Sequence, residues 1–347
     1  MKEIAPLIIN WYQENKRDLP WREDKNPYHI WISEIMLQQT RIEAVKKYYE
    51  RFLKDLPTIV DLANVDEEKL LKLWEGLGYY SRARNLKKSA QIIVEKYQGK
   101  MPENYEELLK LPGIGEYTAG AIASIAFLER VPAVDGNVLR VISRVIGSKK
   151  DILLLETKQE ITELLKEIIP VEADLFNEGL MEIGERICLP NAAPLCDKCP
   201  LCNHCIAKKE KLTNIIPVRI KKTKRKIEDK TIFILVYQDE IAILQRPATG
   251  LLANLYEFIN IDGFMEEKDI KEQMQKWNLE SQKITNLGRK KHIFTHITWE
   301  MQGYRIELKN KNDLFIWIKK DELDKTYALP TAFAKWKENI ERTLFDL

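Results

Sequence analysis

Five cysteines lie close together near the middle of the chain, and thiolates in such groups usually bind a metal. Their spacing is Cys188-x7-Cys196-x2-Cys199-x5-Cys205, with Cys202 inside the last interval. An odd number of cysteines cannot pair completely, so a disulfide framework is disfavoured. A compact loop favours an iron–sulfur cubane over zinc, which usually takes two separated pairs of cysteines. The spacing alone leaves open whether Cys188 or Cys202 completes the set of four ligands.

Two carboxyl groups have surroundings that suit acid–base chemistry. Glu34 shares a predicted helix face with Ile30 and Trp31, and desolvation raises the pKa of a carboxyl group until it holds a proton near neutral pH. Asp135 precedes a predicted helix, where a carboxylate facing a sugar stabilises a developing cation. Each also has a simpler interpretation, Glu34 as a polar edge residue and Asp135 as a helix N-cap.

A glycine-containing turn stands between two predicted helices. Residues 111–120 read LPGIGEYTAG, in which Gly113 and Gly115 flank one apolar residue. A turn this tight leaves little room for side chains. The backbone N–H groups of the turn and of the next helix lack internal partners and form a site for a phosphate. The pattern predicts a helix–hairpin–helix element, although plain loop chemistry produces such turns as well.

Aromatic, amide and glycine residues are combined in three further segments, LPWR at 19–22, QQ at 38–39 and GLGYY at 76–80. Enzymes that act on a base extrude it from the duplex and fill the gap with an apolar or amide side chain. The three segments suit that role, while a buried tryptophan and solvated glutamines are the simpler interpretation of single residues.

Length, charge and the absence of targeting segments limit the kinds of protein that the chain can be. A chain of 347 residues is long enough for about two or three domains. Its net charge is +2, so a nucleic-acid surface must come from local placement of lysine and arginine. The sequence shows neither a signal peptide nor an apolar run of about 18 residues. We therefore expect a cytoplasmic protein, active at the nucleoid, with no membrane partner.

Helical periodicity dominates the first 212 residues, and strand patterns follow. Helices are predicted at 31–53, 67–74, 86–97, 116–128, 137–146, 156–168, 174–187, 267–277 and 331–345. Strands are predicted at 231–237, 241–245, 256–261, 293–301, 304–308 and 314–318. Residues 219–230 carry seven basic and two acidic side chains, which predicts a solvated linker, with phosphate contact as the alternative.

Taken together, these motifs resemble the adenine DNA glycosylase family of the helix–hairpin–helix DNA glycosylase superfamily. The matching segments are 19–22, 31–40, 76–86, 111–121, 134–140 and the cysteine loop. The resemblance implies a multidomain fold, with an all-α glycosylase core that carries an iron–sulfur cluster loop and a C-terminal α+β Nudix-like domain. The implied bounds are a six-helix domain over 20–130, a cluster domain formed by 1–19 and 131–215, a linker over 216–230, and an 8-oxoguanine recognition domain over 231–347.

The resemblance also assigns roles to individual residues. Glu34 would protonate adenine and Asp135 would stabilise the sugar cation, while Tyr117 and Asn137 would orient these carboxyl groups. Gln39, Leu77 and Tyr79 would wedge beside the lesion pair. The remaining implied DNA contacts are Arg22, Gly113, Gly115, Phe294, Thr295 and His296. The implied ligands of a 4Fe–4S cluster are Cys188, Cys196, Cys199 and Cys205, and a monovalent cation at the hairpin is a further implied cofactor.

Four features depart from the family pattern. The first cysteine interval is one residue longer than the commonest one, and Cys202 is an additional thiol. Thr295 stands where the family's Phe-Ser-His motif has serine, which keeps the hydroxyl and adds a methyl group. Residues 250–257 read GLLANLYE, with no following Arg-Glu and paired glutamates to bind magnesium, so we expect a recognition module and not a nucleotide hydrolase.

The implied function is base excision repair by a monomer acting on double-stranded DNA. The enzyme would hydrolyse the N-glycosidic bond of adenine opposite 8-oxoguanine or guanine. An endonuclease III-type lyase is the nearest rival, but it needs a lysine amine for a Schiff base, and Tyr117 occupies that position. A non-catalytic DNA-binding protein is a second rival, and it would not need both Glu34 and Asp135.

Overall fold

The computed structural model describes residues 1–220 and 225–340. The chain folds into two compact units, Met1–Val65 with Arg84–Lys221, and Asp66–Ala83 with Lys222–Leu347. The segment 66–83 therefore groups with the C-terminal part of the chain. The domain bounds implied by the resemblance stay a prediction. Residues 221–224 of the predicted linker and 341–345 of the last predicted helix lie outside the described residues.

Helices make up nearly all the regular structure of residues 1–220. They are α1 (Ile4–Asn15), α2 (Pro27–Leu37), α3 (Ile42–Asp55), α4 (Ile59–Asn64), α5 (Glu67–Leu73), α6 (Ser81–Tyr97), α7 (Tyr105–Leu108), α8 (Glu116–Phe127), α9 (Gly136–Val145), α10 (Leu155–Ile168), α11 (Ala173–Arg186) and α12 (Ile206–Lys209). The described residues contain no helix that is both long and apolar enough to cross a membrane.

The predicted helix over 31–53 is wrong, because two helices, α2 and α3, share this stretch. Gln39 has a φ of +60°, and a left-handed residue cannot continue a right-handed helix. Both helices keep their apolar residues inside, which explains why the sequence shows one periodic pattern across them. The break places the partly exposed Gln38-Gln39 turn at the end of α2.

One hydrophobic core cluster of the first unit is formed mainly by α1, α9, α10 and α11. Ile8, Ile142, Phe176 and Leu180 are completely buried within it. At about 25 cal/mol per Å² of apolar surface, such side chains each contribute on the order of 2 kcal/mol. This core fixes α9 and α11 against each other, and both helices carry residues of the site described below.

A six-stranded sheet forms the centre of the second unit, in the order β4-β5-β1-β3-β2-β6. The strands are β1 (Lys226–Tyr237), β2 (Glu240–Gln245), β3 (Tyr256–Asp262), β4 (Ser281–Ile293), β5 (Ile297–Leu308) and β6 (Ile316–Lys319). Strands β1 and β5 are parallel and the other pairs are antiparallel. Helices α13 (Glu267–Lys276), α14 (Lys320–Lys325) and α15 (Thr331–Lys337) complete the unit.

The central strand β1 is buried on both faces of the sheet. Ile232 and Ile234 pack in a cluster with Phe333 of α15, and Phe233 packs in another with Ile270 of α13. Alternate residues of a strand point to opposite faces, so helices cover both sides of the sheet. This arrangement confirms the predicted α+β class.

Three strand predictions are wrong in their bounds. Strand β1 begins at Lys226 and not at Thr231, because residues 226–230 pair with β5. The two strands predicted over 293–301 and 304–308 are one strand, β5, which starts after a turn at residues 294–296. Strand β4 was not predicted at all. It is an edge strand with mostly exposed residues, so its sequence lacks the apolar alternation that marks a buried strand.

Candidate active site and cysteine centre

A cavity of about 480 Å³ lies between α2, α8, α11 and the start of α9. This volume falls within the range of about 300–1,000 Å³ that is usual for small-molecule sites. The predicted residues that line it are Glu34, Tyr117, Asp135, Asn137, Arg22 and Gln39. The structure thus brings together residues as far apart in the sequence as Arg22 and Asn137.

Glu34 is 6% exposed on the buried face of α2. The hydroxyl of Tyr117 donates a hydrogen bond to its Oε2 atom. Burial, together with the nearby carboxyl groups of Asp135 and Glu178, raises the pKa of Glu34 to about 7, against the lowering effect of the Tyr117 hydrogen bond. The predicted desolvation is confirmed, and a substantial fraction of Glu34 holds a proton at neutral pH.

Asp135 is the N-cap of α9. Its Oδ1 atom accepts hydrogen bonds from the backbone N–H groups of Asn137 at 2.9 Å and Val138 at 2.8 Å, and its Oδ2 atom accepts one from Asn137 Nδ2 at 2.7 Å. Burial raises the pKa of Asp135, while these three bonds lower it. The cap and the catalytic interpretation are compatible, because the same bonds hold the carboxylate at the cavity wall.

The orientation of Asn137 is fixed in turn by Arg140. The guanidinium donates to Asn137 Oδ1 at 2.9 Å, and other donors of the same group bond to the carbonyl groups of Gly184 and Cys188 at 2.8 and 2.7 Å. With its oxygen occupied, the amide of Asn137 presents its NH₂ group to Asp135. Arg140 is therefore a buried support for the site that the sequence did not reveal.

Helix α11 adds three carboxyl groups that sequence reasoning missed, Glu178, Glu182 and Glu185. Their spacing of four and three residues places them on one helix face, and that spacing is the signal that would have found them. Glu182 is completely buried and accepts from Arg17 at 2.5 Å and Arg22 at 3.0 Å. Burial acts to raise the pKa of Glu182, but these two arginines hold this pKa below its usual value.

Arg22 was predicted to contact DNA, and the structure places it among carboxylates. It forms ion pairs with Glu178 at 3.2 Å and Glu182 at 3.0 Å, and its guanidinium lies 5.4 Å from the centre of the Tyr12 ring. Burial raises the pKa of Glu178. Arg22 thus forms part of the inner wall of the cavity.

The predicted hairpin is present at residues 111–115. Gly113 has a φ of +79°, a conformation that residues with a Cβ atom rarely adopt. Gly115 is the N-cap of α8, and both glycines are exposed. The exposed turn leads directly into a helix N-terminus, which is the arrangement that binds phosphate groups.

Gly120 lies where α8 meets the chain that leads to Asp135. A Cβ atom at this position would lie 2.5 Å from the carbonyl oxygen of Pro132, far inside the usual contact distance. The backbones of α8 and of residues 132–133 therefore touch directly. This contact sets the distance between the segments that carry Tyr117 and Asp135.

The five cysteines line a second, smaller cavity beside α9. Arg144 donates from Nη1 to the Cys188 Sγ atom at 3.1 Å, and the Cys205 thiol lies 3.4 Å from the Arg144 carbonyl oxygen. In the described part of the chain, no group of three cysteine, histidine or carboxylate side chains converges as a single metal ion requires. A set of thiols around a cavity fits an iron–sulfur cluster, whose own sulfides keep the thiolates apart. That a cluster binds here, and which four cysteines hold it, both stay predictions.

The predicted lesion-reading residues connect β4 to β5 in the second unit. Phe294 packs on Trp299, with 4.9 Å between the ring centres, while Thr295 and His296 are exposed. The hydroxyl groups of Tyr79 and Thr295 are hydrogen-bonded. Tyr79 is 46% exposed and Leu77 is 6% exposed, so of these two predicted wedges the aromatic side chain is the accessible one.

Comparison with known proteins gives the class that this fold and site define. Residues 32–171 match the HhH-GPD superfamily of base excision DNA repair proteins, and residues 231–339 match the NUDIX domain. The structure of a thermostable thymine-DNA glycosylase superposes with a TM-score of 0.55 at 30% identity, over 60% of this chain and 96% of that one. A trapped endonuclease III–DNA covalent intermediate superposes with a TM-score of 0.52 at 27% identity, over 61% and 99%.

Two relatives define the family more closely. The adenine DNA glycosylase of Buchnera aphidicola subsp. Baizongia pistaciae is 36% identical, and the match covers 96% of each chain. The adenine DNA glycosylase of Homo sapiens is 32% identical over 94% of this chain and 72% of its own length. The chain belongs to the adenine DNA glycosylase family. Both the family and the predicted fold class are confirmed.

Proposed function

We propose that this protein is a monofunctional, monomeric glycosylase that removes adenine opposite 8-oxoguanine or guanine from double-stranded DNA. The observation that carries the proposal is a buried Glu34, with a pKa of about 7, in one cavity with a hydrogen-bonded Asp135. Glycosidic bond hydrolysis needs one carboxyl group that holds a proton for the leaving base and a second one that faces the sugar. Glu34 fits the first role, and three hydrogen bonds to its oxygens hold Asp135 in position for the second.

Glu34 supplies the proton for the departing base. Adenine leaves slowly as an anion, so protonation of a ring nitrogen by a positioned acid accelerates bond breaking. The Tyr117 hydroxyl holds Glu34 in place by donating to its Oε2 atom, which leaves the other oxygen to face the base. After it has given up the proton, Glu34 is a carboxylate that accepts a proton from the attacking water.

Asp135 stabilises the sugar cation that forms as the base departs. Its negative charge is preorganised by the bonds from Asn137 and Val138, so the site does not reorganise during the reaction. Five carboxyl groups and two guanidinium groups line the cavity. This excess of acidic side chains favours the positive charge that develops on the sugar. Water attack at the sugar then completes the hydrolysis.

The remaining predicted residues would bind the DNA or stabilise the fold. The hairpin at Gly113 and Gly115 would bind a phosphate, with a monovalent cation as the family resemblance implies. Thr295 and His296 would read the base opposite adenine. A 4Fe–4S cluster on Cys188, Cys196, Cys199 and Cys205 would cross-link the cysteine loop and thereby hold it against α9.

Single-turnover assays on four duplexes, with adenine opposite 8-oxoguanine, guanine, cytosine or thymine, test the proposal. Free adenine is measured by chromatography, separately from strand scission with and without alkali. We expect adenine release from the first two duplexes and scission only after alkali treatment. Glu34→Gln should abolish release, and Glu43→Gln, on an exposed side chain of α3, is the matched control. Scission without alkali, or equal rates on all four duplexes, would contradict the proposal.

A further inference from the structure

The segment 66–83 carries the predicted wedges Leu77 and Tyr79, and it belongs to the same compact unit as the C-terminal sheet. We propose that Lys72 and Glu75 lock this segment onto the C-terminal sheet unit and act as positioning residues that hold Tyr79 against Thr295. The inference rests on the proposed function, because it assigns to this lock the discrimination between 8-oxoguanine and guanine opposite adenine.

The ammonium group of Lys72 donates hydrogen bonds to both parts of the second unit, the segment 66–83 and the C-terminal part of the chain. Its Nζ atom donates to Glu75 Oε2 at 2.7 Å and to the carbonyl oxygens of Tyr327 at 3.0 Å and Leu323 at 3.3 Å. Its side chain is 18% exposed. Three partners satisfy all three protons of an ammonium group, so the lysine has no further bond to offer and is held in one position.

Glu75 also connects the segment 66–83 to the C-terminal part of the chain. Its Oε1 atom accepts from the Leu329 backbone N–H at 3.0 Å and lies 3.6 Å from Lys337 Nζ. Both oxygens of the carboxylate are therefore occupied, one by Lys72 and one by the chain that precedes α15. Charged hydrogen bonds between partly buried groups are stronger than neutral ones, so the pair is a rigid connection.

Two further hydrogen bonds connect α5 to the C-terminal part of the chain. Asn254 donates to Glu67 at 3.0 Å, and the Tyr256 hydroxyl donates to Glu68 at 2.9 Å. Tyr256 also packs edge-to-face on Tyr327, with 4.7 Å between the ring centres. The segment is thus hydrogen-bonded to both Tyr327 and Tyr256, and these bonds fix the position of α5 on the sheet unit.

The loop after α5 transmits this position to Tyr79. The Trp74 indole donates to the Gly78 carbonyl at 3.1 Å, and Arg82 donates to the carbonyls of Leu77 at 2.9 Å and Gly78 at 3.1 Å. Backbone carbonyls that are tied on both sides move together with the residues that hold them. A shift at Lys72 and Glu75 is therefore passed on to Tyr79, whose hydroxyl meets that of Thr295.

The test compares Lys72→Met with Lys69→Met, an exposed lysine on the same helix. Single-turnover rates are measured on duplexes with adenine opposite 8-oxoguanine and opposite guanine. We expect Lys72→Met to reduce the ratio of the two rates by about tenfold, which corresponds to about 1.4 kcal/mol, through the 8-oxoguanine substrate alone. Lys69→Met should keep the wild-type ratio. An equal loss on both substrates would indicate a general structural role and would overturn the proposal, as would an unchanged ratio.

A double-mutant cycle and hydrogen exchange complete the test. If the lock acts through Tyr79 and Thr295, Thr295→Ala should have little further effect in the Lys72→Met background. Amide exchange over residues 74–82 should accelerate in Lys72→Met and stay unchanged in Lys69→Met. A wild type that shows no preference for 8-oxoguanine would contradict the proposed function. Unchanged exchange would overturn the lock itself, whatever the substrate preference.

Discussion

Replacing Glu34 by glutamine should make the protein more stable at alkaline pH while it stops base release. Burial raises the pKa of this carboxyl group from its ordinary value of 4.5 to about 7 in the folded protein. The unfolded chain therefore ionises first as the pH rises, and the folded state loses stability between about pH 4.5 and 7. A shift of about 2.5 pKa units at about 1.4 kcal/mol per unit costs about 3 kcal/mol above neutral pH. Glutamine has no charge to bury, and its amide oxygen still accepts from Tyr117.

Urea unfolding of the iron-loaded protein at two pH values measures this effect. Near pH 8.5 we expect Glu34→Gln to raise the free energy of unfolding by about 3 kcal/mol, and near pH 5 by about 1 kcal/mol or less. The single-turnover rate should fall by about 100- to 10,000-fold, and the wild-type rate should decline as the pH rises above about 7. Glu43→Gln should change neither quantity. If Glu34→Gln were equally destabilising at both pH values, the carboxyl group would be ionised in the folded protein, and its assignment as the acid would be refuted.

Four other substitutions address the remaining parts of the site. Asp135→Asn should lower the single-turnover rate by about 100-fold or more and change stability by less than about 1 kcal/mol, because asparagine is also a good N-cap; an unchanged rate would leave this residue as a cap alone. The purified protein should be brown, with about four irons per chain. Metal analysis should show iron lost from Cys188→Ser and kept in Cys202→Ser, and the reverse result would replace the ligand set. Tyr117→Lys should form a borohydride-trapped adduct with DNA, since an amine beside Glu34 would attack the sugar, whereas a strong wild-type adduct would favour the lyase.

The parts of the site that could be predicted depend on neighbours in sequence. The burial of Glu34 follows from apolar residues three and four positions away on its own helix, and the cap at Asp135 follows from its place before α9. Glu182 was missed because its burial depends on how α11 packs against the rest of the first unit. Nothing near it in sequence distinguishes it from an exposed glutamate, apart from its spacing to Glu178 and Glu185.

The same distinction holds for the sheet. Strand β1 was recognised where its own residues are apolar, over residues 231–237, and missed over 226–230, where its pairing, mainly with β5, makes it a strand. Strand β4 depends on that partner along most of its length. The grouping of residues 66–83 with the sheet unit comes from bonds to residues far along the chain, such as that between Lys72 and Tyr327, which no local pattern indicates.

The contact between Gly120 and Pro132 has a consequence for how this protein tolerates variation. Side-chain contacts in a core can be exchanged for others of similar volume, because neighbouring side chains rearrange. A contact between two backbones has no such freedom, since a methyl group at Gly120 would have to push apart the segments that carry Tyr117 and Asp135. Gly120 therefore restricts substitution although it carries no reactive group. A survey of inactivating variants would reveal the framework of the site as well as its chemistry.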